Sequence, residues 1–162
     1  MKNQKLKFIK FIAIIGIFLL SFPSHFIYKF FPNILISFFF PVNESIFEHL
    51  KILFTSTLLY GIIDYYLLKK NSISFHNFSF QLFLTSTLST IIFLLIYLPV
   101  YYTIGEILPL TLIIMLFTYF LNQLISYYIL LLPKIPYLNF LSIFFIILIY
   151  INFIILTYSP PH

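Results

Sequence analysis

The chain has 162 residues, of which 62% are hydrophobic, 22% aromatic and 8% charged, with a mean hydropathy of +1.07. Such a mixture lies far from that of soluble domains and reads as an integral, all-α membrane protein, with length for about five helices of the roughly 20 apolar residues that cross a ~30 Å hydrocarbon core and none left for a soluble domain. Zero cysteine excludes disulfides, thiolate metal sites and cysteine nucleophiles, and a net charge of +5 spread over scattered lysines without arginine gives no nucleic-acid-binding face. The heavy use of Ile, Phe, Asn and Lys points to an AT-rich bacterial genome.

The lysine-rich start, Met1 to Lys10, leads into an apolar run from Phe11 to Leu20. That profile fits a signal peptide or a signal anchor. Ser21-Phe22-Pro23-Ser24 lacks a small-x-small cleavage pattern and hydrophobicity continues to Phe31, which favours an anchor spanning about 8–28. The apolar stretch 32–42 is half the length needed to cross and is expected in the interface or as a re-entrant segment. Further spans are expected at about 50–68, 78–98, 107–131 and 138–158. Lys69-Lys70-Asn71-Ser72 closes the second, Pro109 is tolerated in the first turn of the fourth, and Pro133 and Pro136 bracket its end.

Lysines set the orientation, because the side holding more of them in short loops is normally cytoplasmic. Lys2, Lys5, Lys7, Lys10, Lys69, Lys70 and Lys134 share one side, and only Lys29 and Lys51 fall on the other. The expected topology has the amino terminus in the cytoplasm and the carboxyl terminus outside, in a bacterial plasma membrane. Interface-seeking tyrosines mark the same boundaries. Glu44, Glu48, Glu106, His25, His49 and His162 then map outward, and only Asp64 and His76 map inward. The outward group reads either as a shared polar vestibule or as polar residues held at loop ends, where they cost least.

Residues 41–51, Pro-Val-Asn-Glu-Ser-Ile-Phe-Glu-His-Leu-Lys, concentrate this chemistry. A structural reading is a helix start, with Asn43 or Ser45 as cap, Ser45 to Glu48 at capping-box spacing, and Glu48 paired with Lys51. That leaves His49 unexplained. In a functional reading Glu44 and Glu48 share a helical face and meet one ligand, with His49 on the flank. Two or three of His25, Glu44, Glu48, His49 and His162 could ligate a divalent metal, although the Glu-x-x-His, His-Glu-x-x-His and Gly-x-Ser-x-Gly signatures are absent. His25 otherwise caps a helix end, and Glu106 complements the dipole of the fourth span.

Asp64 lies about 24 Å along span two from Glu48, from sixteen residues at 1.5 Å each, and belongs to a different site. It reads as a partner for Lys69 or Lys70, or as a proton or ion relay. The polar residues Thr85, Ser86, Thr87, Ser89, Thr90, Asn122, Gln123 and Asn152 are expected to bond helix to helix. With three glycines and no G-x-x-x-G, tight glycine packing is not expected, and aromatic rings are expected to fill the gaps.

Pro41 to Ser45, Phe47 and Glu48 to Lys51, following a helix that ends Ser-His-Phe-Ile-Tyr, resemble the signature of a family of small bacterial membrane proteins known only as a domain of unknown function. Pro160-Pro161-His162 resembles that family's Pro-Pro-His near its carboxyl end, after which members continue into a short polar tail that is absent here. The resemblance covers the whole chain in layout and implies no mechanism.

Three functions fit these observations. The first is binding or passage of a small polar or cationic ligand at an outward site of Glu44, Glu48, His49, His25 and His162. The second is a membrane-embedded, metal-dependent hydrolase of lipid or lipid-linked substrate, with Glu48 or Glu44 as general base. The third is a structural or accessory subunit. The expected surroundings are the lipid bilayer and a small-molecule or lipid ligand, with no nucleic acid.

Overall fold

The computed structural model describes residues 2–159, which form six α-helices and no strand. They are α1 (Lys2–Phe30), α2 (Ile34–Phe39), α3 (Ile46–Lys70), α4 (Phe78–Ile104), α5 (Leu108–Leu131) and α6 (Pro136–Tyr158). All but α2 are long and apolar enough to cross a membrane. The helices overrun the apolar runs that announce them: α1 starts near the amino terminus and α4 continues through Pro99 to Ile104.

Local chemistry sets the breaks. Asn33 caps α2 by accepting from the Ile36 amide at 3.0 Å, and Ser45 caps α3 by accepting from the Glu48 amide at 3.3 Å. Gly105, at φ 80°, ends α4 in a backbone conformation that a side chain would strain. Pro109 and Pro136 sit in the first turns of α5 and α6, where no amide donor is missed. Asn77 donates to the Pro133 carbonyl at 2.8 Å and accepts from the Ile135 amide at 2.9 Å, clamping the start of α4 to the α5–α6 link.

Helix α3 is central. It packs on α1, α4, α6 and α2, while α5 closes the bundle between α1 and α4, and α6 lies outside against α4, α2 and α3. One core gathers Ile17, Phe54, Tyr60, Phe93, Tyr119 and Phe153; a smaller one at the opposite end joins Leu6, Leu68, Ile73 and Leu130.

Two expectations about packing are corrected. Glycine does admit close approach: a Cβ on Gly16 would lie 2.0 Å from Cε2 of Tyr60, and one on Gly61 2.5 Å from Cδ1 of Leu82. Tyr60 is buried and its ring is stiff, so Gly16→Ala is expected to destabilise the protein by about 1–3 kcal/mol despite better helix propensity. Reversible unfolding in mixed micelles measures this, and an unchanged midpoint would show that the ring yields freely.

The second correction concerns hydrogen bonds. Thr87, Ser89, Thr90 and Asn152 bond carbonyls three or four residues back in their own helices, because that acceptor is always within reach. Thr85 stays within α4 as well. Buried Ser86 Oγ, both amide atoms of Asn122 and the amide oxygen of Gln123 have no hydrogen-bond partner among the described residues. Helices are joined instead by Ser21 with Tyr119 at 2.8 Å, Ser24 with Ser56 at 3.1 Å, Thr55 with Tyr150 at 3.1 Å and Ser37 with Tyr158 at 2.7 Å.

Candidate functional site

The link between α2 and α3 is held from within. Asn43 Oδ1 accepts from the Ser45 amide at 2.9 Å, making a tight turn, and Glu48 Oε2 accepts from the Val42 amide at 2.9 Å. This is the expected capping box with its return bond shifted from Ser45 to Val42. Glu44 thereby precedes the first helical residue, and its side chain is 83% exposed.

Three side chains from three segments converge there. Glu44 Oε2 lies 3.4 Å from His49 Nε2 and 3.7 Å from His25 Nε2. One ligand atom from each residue falls within 4.8 Å of the others, and the imidazole centroids are 5.2 Å apart. His49 Nδ1 lies 2.8 Å from the Ser45 carbonyl, an acceptor that holds the ring with its Nε2 turned toward Glu44. Beside the cluster opens a cavity of about 320 Å³ whose lining includes His25, Tyr28, Lys29, Asn43 and Glu44.

Glu48 does not join them. It is 3% exposed and points into the bundle, where Oε2 also accepts from Lys51 Nζ at 2.8 Å and Oε1 accepts from Thr157 Oγ1 at 2.7 Å. Lys51, 1% exposed, donates further to Thr157 Oγ1 at 2.5 Å and to the Ser37 carbonyl at 2.9 Å. All three ammonium protons are used, and α2, α3 and α6 are tied at one point. The shared helical face expected for Glu44 and Glu48 therefore does not form, because the helix begins after Glu44. Glu106 is exposed in the α4–α5 link and outside the cluster. His162 lies outside the described residues. Among the described residues, the expected vestibule of three carboxylates reduces to one, with two histidines.

At the far end Asp64 pairs with Lys10 of α1, both buried, and not with Lys69 or Lys70. Lys69 instead lies over the Tyr65 ring, 4.6 Å from its centroid. Thr157, Ser37 and Lys10 are contributors that sequence reasoning missed. Lys10 carried a signal: like Asp64 it falls inside one of the first two expected spans, and charges there usually pair.

Together these features define an all-α bundle suited to span a membrane five times, carrying a His-Glu-His cluster at one end. The chain belongs to a family of unknown function, DUF6512, which matches residues 1–162. No curated protein and no solved structure matches it.

Proposed function

We propose that the protein binds a divalent metal ion of the zinc class through His25, Glu44 and His49, on the outer face of a bacterial plasma membrane. The observation that carries this reading is the convergence of the three donors, with the His49 ring held by the Ser45 carbonyl so that its Nε2 faces Glu44. Tetrahedral zinc ligands about 2.0–2.1 Å from the ion lie about 3.3 Å from one another. The two separations to Glu44, 3.4 and 3.7 Å, are close to that value, and the two imidazole donors, within 4.8 Å of each other, close by up to about 1.5 Å on binding. Glu44 is solvent-exposed and free to turn, whereas the imidazoles are held by α1 and α3.

Lysine distribution supports the orientation. With Lys10 and Lys51 consumed by buried pairs, Lys2, Lys5, Lys7, Lys69, Lys70 and Lys134 stand at one end of the chain's crossings against Lys29 at the other. The hydrolytic alternative is weaker, because Glu48 has both oxygens engaged and Glu44 cannot serve as ligand and general base together.

The test is calorimetric titration of zinc into chelator-stripped protein in detergent. One ion per chain is expected, with affinity falling as pH is lowered because protons compete for the imidazole nitrogens. His49→Ala and Glu44→Gln are each expected to weaken binding at least tenfold, and Glu106→Gln to leave it unchanged. Absence of stoichiometric zinc binding, or wild-type affinity in both ligand variants, overturns the reading and leaves Ser45 and its neighbours a helix cap in an accessory subunit.

A further inference from the structure

A second cavity opens at the opposite end, between α1 and α5. It is a groove of about 400 Å³ with Lys7, Lys10 and Phe11 on one wall and Gln123, Leu124 and Tyr127 on the other. Its polarity is graded along the helices. Phe11 and Leu124 are exposed apolar side chains in membrane-suited helices, so the groove is open to hydrocarbon. Lys7 and Tyr127, one turn nearer the amino terminus of α1 and the carboxyl end of α5, form a cationic and aromatic end, with Lys7 Nζ 5.8 Å from the ring centroid.

Two further observations point to a ligand. Lys10 is met by Asp64, whereas Lys7 is exposed and makes no ion pair among the described residues. Glu44, Glu48 and Glu106 all lie at the other end of the bundle, so apart from Asp64 no acidic side chain competes for a cation here. Gln123 lines the groove, is only 4% exposed, and its amide oxygen has no partner. A buried acceptor of that kind is costly unless a donor reaches it.

We propose that this groove holds an anionic phospholipid of the lysine-rich leaflet whose headgroup carries hydroxyls, phosphatidylglycerol being the simplest. Its phosphate sits by the Lys7 ammonium, a headgroup hydroxyl donates to Gln123, and the first acyl carbons lie along Phe11 and Leu124. A basic pocket between membrane helices is the usual form of such a site. A zwitterionic lipid brings its own cation against Lys7, and a soluble anion leaves the apolar wall uncovered.

The experiment uses the full chain in nanodiscs of phosphatidylcholine doped with phosphatidylglycerol, with lipid retention read by native mass spectrometry. One phosphatidylglycerol is expected to be retained in preference to phosphatidylcholine. Lys7→Gln is expected to reduce that preference about fivefold, the effect of one cation near the membrane surface. Gln123→Leu is expected to reduce the preference for phosphatidylglycerol over phosphatidic acid, which has no headgroup hydroxyls beyond its phosphate. Melting in lipid-free detergent checks folding, since Lys7 is exposed and its replacement leaves the bundle intact. Equal retention of phosphatidylglycerol and phosphatidylcholine, a preference untouched by Lys7→Gln, or displacement by millimolar glycerol phosphate overturns the proposal.

Discussion

Lys51→Met is expected to destabilise the protein by about 3–5 kcal/mol, the usual consequence of removing one partner from a buried ion pair. The size follows from what is left behind. Glu48 is 3% exposed, and without Lys51 its carboxylate keeps only the Val42 amide and the Thr157 hydroxyl as donors. The Ser37 carbonyl loses the ammonium that joins α2 to α3. Combining Lys51→Met with Glu48→Gln is expected to recover part of the loss, because the neutral amide strands no charge: its oxygen can accept from Val42 while its NH2 donates to Thr157 Oγ1, which Lys51 no longer occupies. Recovery stays incomplete since no donor replaces Lys51 at Ser37. Unfolding in mixed micelles, arranged as a double-mutant cycle, reads the coupling. A Lys51→Met midpoint equal to wild type would sink the network. The same variant also tests how the site is built: Lys51 holds the Glu48 carboxylate whose Oε2 anchors Val42 in the link that carries Glu44, so loosening that carboxylate is expected to lower zinc affinity although no ligand has changed.

Apolar runs of about 20 residues carry the five long helices, since each such run satisfies its own backbone in hydrocarbon as a helix. Pro32, Pro41, Ser45, Pro109 and Pro136 mark the breaks because each acts on its own backbone, within a residue or two. His25, Glu44 and His49 are legible as candidates from topology, which brings the end of α1 to the start of α3. What separates Glu44 from Glu48 is not legible. A one-residue difference in where a helix begins rotates a side chain by about 100°, and Ser45, not Asn43, is the cap. Thr157 is invisible for another reason: it lies 109 positions from Glu48 in the chain, and only the packing of α6 on α3 brings them together. Hydroxyls inside apolar runs read as bonds between helices, since such bonds join helices in lipid, yet for Thr87, Ser89 and Thr90 a carbonyl three or four residues back is the acceptor within reach.

The Lys10–Asp64 pair is expected to respond differently, and the contrast tests what buried charge does in this fold. Either single replacement, Lys10→Met or Asp64→Leu, strands a buried charge and is expected to cost about 3–5 kcal/mol. The double replacement is expected to match or exceed wild-type stability, because here the network is incomplete. One oxygen of Asp64 has no partner among the described residues, whereas every ammonium proton of Lys51 has one. An incompletely satisfied buried pair has more to gain by conversion to hydrocarbon than a fully satisfied one. If the double variant is instead as unstable as the singles, Asp64 has donors that the bare pair does not account for, and the pair is structural. If it is stable but cells carrying it lose the phenotype of the intact protein, the charges are retained for movement of a proton or ion at the lysine-rich end.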